Sequence, residues 1–339
     1  MKIDIRSLTA DELKEEIVKM EYPVYRADQI YKWLMRGVHS FDEMTNLPLN
    51  MRQNLNDCYS IVNCKIQKKL VSSHDNTVKY LYKLNDGEMV ESVLMEYKHG
   101  YSMCISTQAG CRMGCAFCAS TVNGLSRNLT PSEMLSQIYT CIEDSGIKPS
   151  NIVLMGIGEP LDNFYNVLKF LKLVSDPDGL NIGQRHISVS TCGLVDKIYE
   201  LIPMHPQFTL SVSLHAPNDD IRNKIMPINK RWSVSELIKA CRAYTKSTSR
   251  RISFEYSLIK GLNDSDDCAH ELASIIKGML CHVNIIPVNP ARKDINTPDT
   301  NRVNRFKDIL IKQGINATVR RTLGGDIDAS CGQLRRRYS

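Results

Sequence analysis

The chain has 339 residues, of which 42% are hydrophobic and 24% charged, a globular mix that excludes a disordered chain. No apolar run approaches the length of a membrane span, and the charged start MKIDIRSLTADELKEE lacks the apolar stretch of a secretory leader, so a cytoplasmic protein with no membrane contact is expected. The net charge is +6, and residues 291–339, with 11 basic and 5 acidic side chains, account for all of it, marking that end as a candidate phosphate-contacting surface.

This length suits one large domain with a smaller one. Residues 1–60 read as helices. Residues 11–20 (DELKEEIVKM) repeat apolar side chains at helical spacing behind Thr9, a candidate N-cap. Residues 26–36 (RADQIYKWLMR) repeat the pattern, and Gly37 can stop it. Residues 61–100 alternate instead. KIQKKLVSS, TVKYLYKL and MVESVLMEY are rich in Val, Leu and Tyr, and Asn85-Asp86-Gly87 is a turn signal between the last two, which predicts a short antiparallel β extension. From residue 101 to the end, strand-like runs (MCIST, NIVLMGIG, HISVST, FTLSVSL, ISFEYSLI, HVNIIPV and finally NATVRR) alternate with helical stretches. About six βα units follow, hence an α/β fold with a parallel sheet, open or closed, and an active site at the strand C-termini.

The twelve cysteines are too few for a disulfide scaffold and point to metal binding or catalysis. Residues 104–118 read CISTQAGCRMGCAFC. Cys111, Cys115 and Cys118 share one loop with the spacing C-x3-C-x2-C, and Phe117 is placed to shield whatever they bind. Three thiolates suit a [4Fe–4S] cluster with one iron left open. The alternative is a zinc site that takes Cys104 as its fourth ligand.

This motif at the head of a βα series resembles the signature of radical S-adenosylmethionine enzymes. The resemblance implies a partial (β/α)6 barrel, a [4Fe–4S] cluster on Cys111, Cys115 and Cys118, and S-adenosylmethionine chelated at the open iron. Met155-Gly156-Ile157-Gly158-Glu159-Pro160 follows a predicted strand and lacks the third glycine of a dinucleotide fingerprint. Gly158 and Glu159 are similar to the family's GEP turn, which holds the cofactor's amino group. Ser190, then Ser213, Leu214 and His215, then Asn289, each end a predicted strand and match cofactor contacts in one branch of the family.

That branch comprises RNA adenine-(carbon-2) methyltransferases, and the likeness runs from Arg26 to Leu334 through GEPLDN, SVSLHAPND, MPINK, ISFEYSLIKG and DIDASCGQL. It implies methylation of adenine carbon-2 in 23S rRNA, free or early-assembling, and in certain tRNAs. Two S-adenosylmethionine molecules per turnover and a low-potential donor such as flavodoxin or ferredoxin are implied with it. Cys331 would carry the methyl group as S-methylcysteine, Glu91 would accept the ring proton, and Cys104 would release the RNA by a transient disulfide with Cys331. Cys104 is the other candidate base, and the residues alone do not choose. Divided this way, residues 1–60 form a helical RNA-binding accessory domain, 61–100 a β extension, and 101–339 the core with its C-terminal catalytic-cysteine loop.

Lys65, Lys68, Lys69, Arg320, Arg321, Arg335, Arg336 and Arg337 are candidate phosphate contacts, and Tyr31 and Trp33 are candidates for stacking on bases or for the core. Cys58, Cys64, Cys141, Cys192, Cys241, Cys268 and Cys281 are expected as buried thiols. Two rival functions remain: carbon-8 methylation of the same kind of adenine, and zinc and RNA binding without catalysis.

Overall fold

The computed structural model describes residues 2–289 and 295–329. The N-terminal part pairs a short β1 (Ile3–Asp4) with β2 (Tyr59–Ser60) around α1 (Ala10–Lys19), α2 (Tyr25–Met35) and α3 (Leu49–Cys58). Thr9 opens α1 with a capping box: its side chain accepts from the Glu12 amide while the Glu12 carboxylate accepts from the Thr9 amide. Leu13 and Ile17 of α1 and Ile30, Tyr31 and Leu34 of α2 are buried on one stripe. Tyr31 donates to Asp176 at 2.8 Å and is committed to the core. Cys58, expected inside, is exposed at the last turn of α3, because only Met51 and Leu55 of that helix face inward.

Four antiparallel strands follow: β3 (Lys65–Val71), β4 (Val78–Lys83), β5 (Met89–Tyr97) and β6 (Gly100–Cys104). A small hairpin, β7 (Gln108–Gly110) with β8 (Leu125–Asn128), precedes α4 (Pro131–Ser145). The alternating part runs β9 (Asn151–Leu154), α5 (Phe164–Val174), β10 (Ile187–Thr191), α6 (Val195–Leu201), β11 (Thr209–Ser213), α7 (Asp219–Ile225), α8 (Val234–Thr248), β12 (Ile252–Leu258), α9 (Asp266–Ile276), β13 (Cys281–Pro287), α10 (Thr300–Lys312) and β14 (Ala317–Val319).

All of these strands except β1, β2, β7 and β8 form one ten-stranded sheet, in the order β14-β13-β12-β11-β10-β9-β6-β5-β4-β3. It is parallel from β6 to β14, as helical crossovers require, and it is not closed. The β extension is therefore continuous with the core: β6 pairs antiparallel with β5 and parallel with β9. The pleat sends Val90 and Leu94 of β5 into the helix-covered core, and Glu91, Val93 and Met95 to the opposite face beside Cys104. The edge strand β3 is lysine-rich and mostly exposed, a composition that discourages pairing with another chain.

Arg222 on α7 is wholly buried and spans the ends of β10 and β11. Its guanidinium donates to Cys192 O at 2.7 Å, Ser213 O at 3.1 Å, Leu214 O at 3.0 Å and Asn229 Oδ1 at 3.0 Å. Arg222→Met would leave those carbonyls without donors. A loss of about 3 kcal/mol is expected in denaturant unfolding, and an unchanged midpoint and slope would contradict this bracing role.

Candidate active site

The C-terminal ends of β9 to β13 surround a cavity of about 920 Å³. Cys111, Cys115 and Cys118 line one side of it. Their loop leaves β7 at Gly110, whose φ is +79° and where a Cβ would fall 2.0 Å from Gly124 O, so only glycine fits. Cys111 N then donates to Gly124 O, and Ala116 N donates to Ile225 O at the end of α7. Burial pushes the Cys111 thiol up to about 12, with Glu159 and Cys118 adding to it. Burial likewise raises Cys115, reinforced by Cys118 and Cys111. Thiols that repel one another as thiolates keep their protons until a positive centre replaces them.

The residues fit an iron–sulfur cluster. Three cysteines on one loop face a single cavity, while Cys104, the fourth ligand that a closed zinc site would need, borders a neighbouring pocket. Among the described residues, no group of three or more His, Cys, Asp and Glu side chains is gathered so as to hold a metal ion.

The turn after β9 forms the next wall. Gly158 has φ +108°, and a Cβ there would sit 2.6 Å from Gln108 Cβ. Gln108 pins the turn, accepting from Glu159 N at 2.8 Å and donating to Asn128 and Asp162. The buried Glu159 carboxylate accepts from Cys192 N at 2.7 Å and Leu161 N at 3.0 Å, while burial raises its pKa above the ordinary carboxylate range. Ser190, Ser213, His215 and Asn289 complete the predicted lining, whereas the Leu214 side chain turns into the core. His215 Nδ1 accepts from Ser257 N at 2.9 Å, which leaves the proton on Nε2. Phe117 packs edge-on against its ring, with centroids 4.9 Å apart.

The lining also includes residues to which the sequence assigned no role, among them Cys192, Met226, Glu255 and Ser257. Glu255 is buried, accepts from Asn284 at 2.7 Å and Ser253 at 2.9 Å, and has its pKa raised by burial. The available signal was the polar alternation Ser253, Glu255, Ser257 within β12.

A second pocket of about 500 Å³ adjoins the cavity and shares Met155, Ile286, Asn289 and Arg320 with it. Cys104 lines this pocket with Arg321, Leu323 and Ala329. Cys331 and Arg335, Arg336 and Arg337 lie outside the described residues. Glu91 is 2% exposed and ion-paired with Lys79 at 3.0 Å. It lines a third pocket with Lys68, Ile327 and Asp328, not the cofactor cavity. Glu91 and Cys104 still share a sheet face on paired strands, one diagonal step or about 7–8 Å apart. Of the lysines proposed for phosphate, Lys69 is held by Asp144 at 2.6 Å. No helix among the described residues is long and apolar enough to cross a membrane.

Residues 105–272 match the radical SAM superfamily, and residues 3–61 match the ribosomal RNA large subunit methyltransferase N-terminal domain. The chain is 51% identical to the probable dual-specificity RNA methyltransferase RlmN of Alkaliphilus oremlandii, over 99% of this chain and 98% of that one. It is 52% identical to the protein of the same name from Desulforamulus reducens, over 99% and 97%. The crystal structure of a radical SAM methyltransferase from Sphaerobacter thermophilus superposes with a TM-score of 0.94 at 42% identity, over 99% of this chain and all of that one. The chain belongs to the RlmN family of radical SAM RNA methyltransferases. The superfamily's [4Fe–4S] cluster and S-adenosylmethionine come with that membership.

Burial, then the Arg222 charge, pushes His215 down to about 3. Between about 3 and 6.5 the unfolded chain takes up this proton and the folded chain does not, so stability rises with pH across that window. NMR of 15N-histidine-labelled protein should show His215 neutral from pH 5 to 8, as about 3 is well below that span. An inflection near 6.5 would contradict the buried, Ser257-bonded geometry.

Proposed function

We propose that the protein methylates carbon-2 of an adenine in 23S rRNA and in certain tRNAs, through an S-methylcysteine on Cys331. The observation that carries this reading is the adjacency of two pockets. The cofactor cavity shares Met155, Ile286, Asn289 and Arg320 with the pocket of Cys104, and that pocket is walled by Ala329, two residues before Cys331. A carbon-2 atom is electron-poor and does not attack a methyl sulfonium as an amine does, so a carrier thiol and radical chemistry are both needed.

When bound, the cluster and two S-adenosylmethionine molecules per turnover supply a methyl group and a hydrogen-abstracting 5′-deoxyadenosyl radical. Cys111, Cys115 and Cys118 would hold the cluster. Gly158, Glu159, Ser190, Ser213, Leu214, His215 and Asn289 would hold the cofactor, Leu214 through its backbone. The Cys331 thiolate takes a methyl group by polar displacement. That S-methyl group gives up one hydrogen atom, and its carbon bonds to adenine carbon-2. One electron leaves the adduct, for which the bound cluster would be the acceptor, and the ring proton passes to Glu91, a buried carboxylate on the sheet face that also carries Cys104. The Cys104 thiolate then attacks Cys331 Sγ. A disulfide forms, the sulfur–carbon bond breaks, and the departing carbon keeps the electron pair and takes a proton as the new methyl group. The disulfide must be reduced before the next turnover, and flavodoxin or ferredoxin would supply low-potential electrons to the cluster.

Residues 1–60 would serve as an RNA-binding accessory unit before the β extension (61–100) and the core (101–339). Lys65, Lys68, Arg320, Arg321 and the three C-terminal arginines would contact phosphates. The reaction belongs in the cytoplasm.

Mass spectrometry of digested RNA should find 2-methyladenine, and 8-methyladenine would overturn the position. Cys104→Ala should accumulate RNA covalently bound to the protein, and normal turnover without that adduct would overturn the disulfide step.

A further inference from the structure

Gln108 lies on β7, three residues before Cys111, wholly buried but behind the wall of the cofactor cavity and not in its lining. Its amide is used at both ends. Oε1 accepts from Glu159 N at 2.8 Å, while Nε2 donates to Asn128 Oδ1 at 2.8 Å and to Asp162 Oδ2 at 2.9 Å. The backbone tightens the same grip: Gln108 N donates to Ile157 O at 3.1 Å, and Asp162 N donates to Glu159 O at 3.0 Å, which places Asp162 in the turn of Glu159. Asp162 Oδ1 in turn accepts from Arg112, the residue after Cys111 on the cluster loop.

Only one kind of side chain satisfies this geometry. The Glu159 amide needs an acceptor and the Asp162 carboxylate needs a donor, so the group between them must be both, as a carboxamide is. A carboxylate at this position would face Asp162 with like charge, and an apolar side chain would leave the buried Glu159 N–H without its acceptor. The contacts from Glu159 through Gln108 and Asp162 to Arg112 join the glycine–glutamate turn to the cysteine loop. Arg112 has a side chain 63% exposed, so its ion pair adds little and the buried Gln108 carries the link. We propose that Gln108 is a positioning residue for S-adenosylmethionine, one that holds the Glu159 turn at the spacing from the cluster loop that lets both meet the same cofactor molecule. This rests on that turn and the three-cysteine loop being the cofactor and cluster sites.

The test reads S-adenosylmethionine binding by the reconstituted protein before reduction and without RNA, so that no turnover enters the measurement. Gln108→Met keeps the length of the side chain and removes its amide. Iron content should match the unaltered protein, while the dissociation constant for S-adenosylmethionine should rise by about 10- to 100-fold, the usual cost of losing a partner behind a ligating group. Gln108→Glu keeps an acceptor for Glu159 N but sets a carboxylate against Asp162, and should also bind weakly. Adding Asp162→Asn to Gln108→Glu exchanges amide and carboxylate between the two positions, supplies the donor from the other side, and should recover most of the affinity. Unchanged affinity in Gln108→Met overturns the proposal. So does a loss in Gln108→Glu that Asp162→Asn leaves untouched or deepens, which would mark a packing role; this comparison decides even where Gln108→Met takes up less iron. Glu159→Gln separates the two layers: unchanged affinity there refutes the Glu159 turn as a cofactor site, whereas weakened binding there but not in Gln108→Met refutes only the role of Gln108.

Discussion

A parallel sheet that opens into a cavity at its strand ends leaves backbone amides and carbonyls that no further strand pairs. In a dry interior each of these groups demands a partner. Here the partners are buried polar side chains. Arg222 takes the carbonyls of Cys192, Ser213 and Leu214, Glu159 takes the amides of Cys192 and Leu161, Gln108 takes the amide of Glu159, and His215 takes the amide of Ser257. The cavity stays open because side chains reach around it where backbone would have filled it. Glu159, Ser213, Leu214 and His215, among the residues proposed to hold the cofactor, are part of this frame.

The frame also sets the electrostatics. Inside the cavity, burial raises the two carboxyls Glu159 and Glu255 and the thiols Cys111 and Cys115, and lowers His215. All of these shifts favour the neutral forms. A bound positive centre would reverse that preference for the carboxyls and thiols, which suits a site that holds an iron–sulfur cluster and a sulfonium. Around the Cys104 pocket the lining is different: Arg320 and Arg321 bring cationic groups to the mouth through which an RNA strand would come.

Much of this was readable from the residues. Thr9 with Glu12, Gly37 and the period of the first helices carry local information, and local information folds locally. C-x3-C-x2-C and Gly158-Glu159 are legible for the same reason, since one short loop holds all their ligating atoms. What escaped the reading acts at a distance. Arg222 sits in PNDDIRNKI as one more polar residue of a short helix, and only folding brings three carbonyls to it. Lys79 in TVKYLYKL looks like a solvent-facing lysine, yet the C-terminal segment covers it. Glu91 lies in a strand with both faces buried, where alternation cannot tell inside from outside. Cys58 misled in the other direction, because a helix end with two inward residues leaves its last thiol in solvent.

The central claim is a division of labour among cysteines: three for the cluster, one to carry a methyl group, one to release the product. Peptide mapping of the reconstituted enzyme after anaerobic incubation with S-adenosylmethionine, before RNA is added, tests it most directly. The account predicts a single methyl group on the peptide containing Cys331, with Cys104 unmodified. A methyl group on Cys104, or on no cysteine of an enzyme that goes on to methylate RNA, would contradict it.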